Sequence, residues 1–269
     1  MPLLVVVLCL AAHWKLGPQS FVNTLFLWCV LGGFMAQLID GALGMGYGLV
    51  SATFLMSQPI PLAAISASIH SSEIFTTAAG GLAHWQFGNI NRSLFRKLVI
   101  PGVLGAIAGA LMLSLAGDNY AGYLRPILAV YILFLSVKYL LMFFRKVFIN
   151  REVKHIRALA AVGGFLDSFG GGGWGPLVTV TLMRSSHDPK QIIGSVSLTE
   201  FFVTFSSAFT FFLLLGIQHW QLVLGLMAGG VMAAPFSALL AGTLSKRWSY
   251  FWIGLIGGLW SLRILSSMI

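Results

Sequence analysis

The sequence predicts an all-α, polytopic integral membrane protein, and three observations carry that reading. Hydrophobic residues make up 58% of the chain, charged residues only 9%, and mean hydropathy is +0.90. That leaves far too little polar surface to coat a water-soluble globule of 269 residues. A hydrocarbon core of about 30 Å takes about 20 helical residues to cross, and Leu98 to Ala116, Pro126 to Phe144 and Leu222 to Leu244 reach that scale without an acidic residue. These runs are continuous rather than alternating. Because an unpaired backbone amide is costly in lipid, they fit helices and not the strands of a closed barrel.

The first element is Met1 to Ala12, which is apolar but has no basic residue ahead of it and no clear small-residue cleavage site. It is expected to be a membrane-embedded or interfacial lead-in, within a segment 1–19, and not a removable signal peptide. Two glycine-rich breaks come next. Asp40-Gly-Ala-Leu-Gly-Met-Gly-Tyr-Gly48 is matched 127 residues later by Asp167-Ser-Phe-Gly-Gly-Gly-Gly-Trp-Gly175. The same offset carries Leu55-Met56 onto Leu182-Met183, Ser68 onto Ser195 and Glu73 onto Glu200, and Pro61 and Pro189 agree within one residue. The chain therefore reads as a tandem duplication. One repeat covers 20–145, a basic linker 146–156, and the second repeat 157–269.

Each half contains an apolar segment, a glycine break, a short apolar segment, a proline turn and three longer helices. The expected spans are about 20–40, 44–56, 61–85, 97–116 and 123–145, then about 157–167, 172–184, 189–216, 219–243 and 248–268. The pieces flanking each break are the short ones, as re-entrant or interrupted helices require.

Linker charge sets the topology. Arg92, Arg96 and Lys97 mark one cytoplasmic linker, Arg145, Lys146, Arg151, Lys154 and Arg157 the next but one, and Lys246 with Arg247 the last. Between them, 57–59 and 216–218 carry no charge and 117–123 only Asp118. Every basic linker falls inside if each broken pair enters and returns to the same side. Three further crossings per half, an odd number, then make the halves inverted repeats.

The formal net charge of +9 taken alone points to a nucleic-acid partner, but most basic residues lie in short linkers beside helix ends, so lipid and not nucleic acid is the expected partner. Cys9 and Cys29 lie in apolar segments with no metal-site spacing. No zincin, hydrolase-elbow, Walker or Cys-x-x-Cys motif occurs, so neither a catalytic residue, a cofactor nor a metal is expected, and transport driven by the chain's own ATP hydrolysis is excluded.

Of seven acidic residues, Asp118, Glu152 and Asp188 fall in linkers; Asp40, Glu73, Asp167 and Glu200 lie at the breaks or inside apolar helices and form the two repeat-matched pairs. An ionisable group at membrane depth marks a pathway, a proton site or a buried partner. Glu73 and Glu200 are read as proton-coupling groups. Asp40 and Asp167, just ahead of helix starts, suit either a pathway or a capping role. His70 titrates near neutral pH unaided, and is either a proton holder or an interhelical hydrogen bonder. Ser66, His70, Glu73 and Thr77 share one helix face by their spacing. Gln37, near Asp40, is similarly ambiguous.

The breaks themselves point to an anion. Gly44, Gly46 and Gly48, with Gly171, Gly172, Gly173 and Gly175, leave backbone amides unshielded, and a helix starting there aims its N–H groups and positive dipole end inward. Ser68, Ser195, Ser197 and Thr199 are expected to complete a site for one small anion. Close packing by small residues is the competing explanation of the glycines.

The Asp167 to Pro176 run, Ile69-His-Ser-Ser-Glu-Ile-Phe-Thr-Thr77 with Gly81-Leu-Ala-His-Trp-Gln-Phe-Gly-Asn89, and Ile193-Gly-Ser-Val-Ser-Leu-Thr-Glu-Phe-Phe-Val-Thr204 resemble the sulfite exporter TauE/SafE family. The resemblance extends from about Leu31 to Arg263. It implies a bacterial inner-membrane permease, commonly an exporter, for small sulfur-containing anions such as sulfite, sulfoacetate or related organosulfonates. The shorter glycine run of the first half departs from the fuller pattern of the second, so the two half-sites are not expected to be equal.

Overall fold

A computed structural model describes residues 23–43, 46–56, 58, 60–116, 119–144, 153–183, 188–216, 220–240 and 246–266. The lead-in, Gly44, Asp118 and most of the 145–157 linker lie outside the described residues. The described chain is helical throughout. In order, the helices are α1 (Thr24–Leu43), α2 (Tyr47–Met56), α3 (Leu62–Gln86), α4 (Arg92–Ala116), α5 (Ala121–Phe144), α6 (Ile156–Gly170), a π-helical turn π1 (Gly175–Thr179) running into α7 (Val180–Leu182), α8 (Pro189–Leu215), α9 (Trp220–Leu240) and α10 (Lys246–Ser266).

The chain is a multi-pass membrane protein. Among the described residues, three helices qualify outright to cross by length and composition: α4, α5 and the Lys190–Leu215 stretch of α8. Shorter apolar stretches occupy Thr24–Asp40, Tyr47–Met56, Trp220–Ala233 and Tyr250–Ser266. Helix α3 is long, but its interior holds Ser66, Ser68, His70, Ser72 and Glu73, all buried against the protein. The lipid-facing surface is apolar, with Leu104, Leu115, Phe134 and Leu213 among the exposed side chains.

Small residues decide which helices touch. Helix α1 packs on α9 where Gly33 lies against the backbone of Leu226 and Gly229 against Val30; α4 packs on α6 where Gly105 meets Ala161, Gly109 meets Phe165 and Gly164 meets Gly102. In each case the neighbour is main chain, so only a missing side chain permits the approach. Under the 127-residue offset, α1 corresponds to α6 and α4 to α9, so these two contacts are images of each other. Of the other large interfaces, α3 on α8 and α5 on α10 join corresponding helices directly, while α4 on α8 joins helices that do not correspond. Helices α3 and α8 run antiparallel, since Gly81 lies against Leu198 near one end and Ser66 reaches the Ser168–Ser207 contact near the other. Helices α5 and α10 do the same, pairing Tyr139 with Tyr250, Phe143 with Trp248 and Ser136 with Gly257.

The broken pairs each return to the end they came from. Helix α1 begins where Asn23 meets Gln221 at the start of α9, and α2 finishes at the same end, where the Arg125 guanidinium donates to the carbonyls of Met56 (3.0 Å), Gln58 (3.2 Å) and Ile60 (2.7 Å). Helix α6 starts at the opposite end, and Leu182 of α7 comes back there to a cluster with Leu94 and Ile192. That second end also carries Arg92, Arg96, Lys97, Lys154, Arg157 and Lys190, together with the start of α10 at Lys246.

One element differs from the sequence expectation of a plain short helix over 172–184. Its first turn is a π-helix, Gly175–Thr179. Pro176 lies in that first turn, where its missing N–H would have no partner within an α-helix either.

Candidate functional site

The two glycine breaks meet. A Cβ added to Gly48 would lie 2.6 Å from the carbonyl oxygen of Gly171 and 2.9 Å from the Cα of Gly172, and one added to Gly172 would press on Gly48 and Leu49. Backbone lies on backbone. Gly46 and Gly171 have φ of 125° and 71°, a region side chains rarely adopt, so glycine is also what lets the chain turn at both breaks. Gly175 is buried at the start of π1.

The aspartates cap the helix starts beyond the breaks. Asp167 Oδ1 accepts hydrogen bonds from the amides of Gly173 (2.7 Å) and Trp174 (2.9 Å), and Asp40 Oδ1 accepts a longer one from Tyr47 (3.3 Å), the residue matched to Trp174. The Gly173 amide, expected to face an anion, is the one that Asp167 engages at the shorter distance. A buried carboxylate must find donors, and Asp167 takes the first ones the helix start presents. Trp174 is then locked as a fully buried anchor between Gly102 of α4 and Gly163 of α6.

Helix α3 brings its polar face to the second break. Ser66 Oγ donates to the carbonyl of Ser168, and His70 Nε2 lies 3.3 Å from the carbonyl of Asp167. His70 Nδ1 points between two carboxylates, 3.8 Å from Glu73 and 3.9 Å from Asp167, with no hydrogen-bond partner of its own. The ring stacks on Phe211 with centroids 6.4 Å apart. Thr77 Oγ1 donates to the Glu73 carbonyl at 2.8 Å. Glu73 and Glu200 stand near the middle of α3 and α8, close enough for their charges to interact with each other and with Asp40 and Asp167. Glu73, Asp167 and His70 are buried, while Asp40 and Glu200 are half-buried. The Tyr47 hydroxyl shares a 3.0 Å hydrogen bond with Ser72, joining the first break to the same face.

Three of the hydroxyls expected around the anion have protein partners. Ser68 and Thr199 donate to the carbonyls of Ala64 and Ser195 one turn back on their own helices. Ser195 exchanges hydrogen bonds with the backbone of Asn91, tying α8 to the loop after α3. Ser197 is half-buried on α8. Gln37 is buried beside Gly230, and its Oε1 has no partner. Among the described residues no group of three or more His, Cys, Asp or Glu is arranged to hold a metal ion.

Two residues that the sequence reading passed over join the site. Lys138, inside α5, donates from Nζ to the carbonyl of Pro176 in π1 at 3.0 Å, and Tyr131 on the same helix reaches the Gly172 carbonyl. The signal for Lys138 was present: a charge inside an apolar helix is as informative when basic as when acidic.

Beside this geometry stands a match of residues 29–264 to the family model described as Sulfite exporter TauE/SafE. The chain belongs to that family. It is also 39% identical over 218 residues, 77% of this chain and 72% of the relative, to the "Probable membrane transporter protein YtnM" of Bacillus subtilis (strain 168). No solved structure matches the chain. This TauE/SafE protein is therefore a membrane transporter and not an enzyme.

Proposed function

We propose that this TauE/SafE protein is a secondary transporter that exports a small sulfur-containing anion, such as sulfite or an organosulfonate, across a bacterial inner membrane with proton coupling. The observation that carries the reading is the contact of Gly48 with Gly171 and Gly172, midway along the bundle and beside Glu73, Glu200, Asp40, Asp167 and His70. The antiparallel packing of α3 on α8 and of α5 on α10, and the image contacts α1 on α9 and α6 on α4, support two inverted repeats, 20–145 and 157–269, that rock about this contact.

Electrostatics supports the coupling. Two like unit charges about 5 Å apart repel by about 3 kcal/mol at an effective dielectric of about 20. An anion entering among four carboxylates meets more than one such term, and the cations at hand are Lys138 and, when protonated, His70. Protons on Glu73 and Glu200 remove much of that repulsion, so anion and proton move together.

The test is flux of radiolabelled sulfite in proteoliposomes with and without an imposed pH gradient. The Glu73→Gln, Glu200→Gln double variant mimics the protonated acids, so it is expected to keep counterflow exchange and lose acceleration by the gradient. A full response to the gradient in that variant would remove these acids from the coupling step. Flux in the wild type that ignores the gradient would favour a channel-like conductor instead.

A further inference from the structure

At the end of the bundle opposite the basic linkers, a lateral cavity of about 260 Å³ opens between α1, α2 and α10. Trp28, Leu31, Met35, Phe54, Ile256 and Trp260 line it. Its wall is built from aromatic contacts: the Phe54 ring lies 6.1 Å from Trp28 and 6.3 Å edge-on from Trp260. Trp28, Leu31 and Met35 are 40 to 48% exposed, so the cavity is open to lipid.

A cation lies against one of the lining rings. The Arg263 guanidinium lies 5.1 Å from the Trp260 ring centroid, one turn from the end of α10, and Arg263 is exposed. None of the described carboxylates is at this end: Asp40, Glu73, Asp167 and Glu200 are in the interior, and Asp188 caps α8 at the opposite end. A tryptophan with an arginine beyond it is the arrangement by which a helix meets the headgroup layer, the ring at the boundary and the charge in the polar zone.

We infer that this groove is a binding site for one membrane phospholipid, whose acyl chain lies along α1, α2 and α10 and whose phosphate pairs with Arg263. Arginine offers phosphate a fork of parallel donors, and the groove offers the chain a surface with almost no polar atom. Because Phe54 belongs to α2, the short helix after the first glycine break, the bound chain braces that helix from the lipid side.

Native mass spectrometry of the full protein in detergent, titrated with dioleoylphosphatidylglycerol, tests this. The wild type is expected to hold one lipid that survives collisional activation. Arg263→Gln should weaken retention by about tenfold. Gly32→Leu should abolish it, since a side chain there meets the Phe54 ring at 2.7 Å and drives it into the groove. Ile256→Phe, which fills the groove from α10, serves if Gly32→Leu fails to fold. Retention unchanged in Arg263→Gln and in the groove-filling variant would overturn the inference. So would recovery of a free fatty acid or detergent in place of the phospholipid.

Discussion

Gly48→Ala offers the most direct test of the contact between the two breaks. The added methyl would lie 2.6 Å from the Gly171 carbonyl oxygen and 2.9 Å from the Gly172 Cα, whereas ordinary contact begins at 3.4 Å. The second break must therefore retreat by about 0.8 Å from the first. Both opposing atoms are main chain, so no side-chain rotation relieves the collision. Overpacking of this kind costs about 3 kcal/mol. Alanine in place of glycine in helix α2 returns up to about 1 kcal/mol. The net loss of about 2 kcal/mol in the apposed state corresponds to about a 30-fold fall in its population, and in any flux that passes through it. Initial rates of sulfite efflux from proteoliposomes, normalised to reconstituted protein, measure this. Gly80→Ala is the control: it lies in α3, has nothing within 4 Å of its would-be Cβ, and should leave flux unchanged. Flux through Gly48→Ala within twofold of wild type would refute the argument that transport depends on the two breaks touching.

Named contacts set three more expected outcomes. Asp167→Ala strands two buried amides at about 1–3 kcal/mol each, while Asp40→Ala loses one longer bond, so the former should lower the melting temperature in detergent more than the latter; the reverse order would contradict the capping account. Arg125→Gln removes a charged donor from three carbonyls at the close of α2 and should destabilise the protein by about 2 kcal/mol, seen as a lower melting temperature. Single cysteines at Lys154 and Lys190 should label from the cytoplasmic side, and those at Gln58 and Gly216 from the other; mixed labelling within either pair would break the topology.

Much of this was legible in the chain. Helix positions are set by apolar runs bounded by Gly, Pro and charge, and the structure places each within a few residues of expectation. The polar face of α3 could be read from spacing alone, because residues three and four apart share a side of any helix.

By itself, then, the sequence determined the helical membrane class, the element order, the family and the candidate acids, all properties of composition and local order. Only the tertiary structure decided which partner each polar group takes. It gave the Gly173 amide to Asp167, turned Ser195 toward Asn91, set His70 Nδ1 between Glu73 and Asp167, and brought Lys138 to Pro176. These pairs join residues that are remote in the chain or compete for the same donor. A sequence states what each group could bond. Which bond forms depends on distances that exist only once small residues have let the helices close on one another.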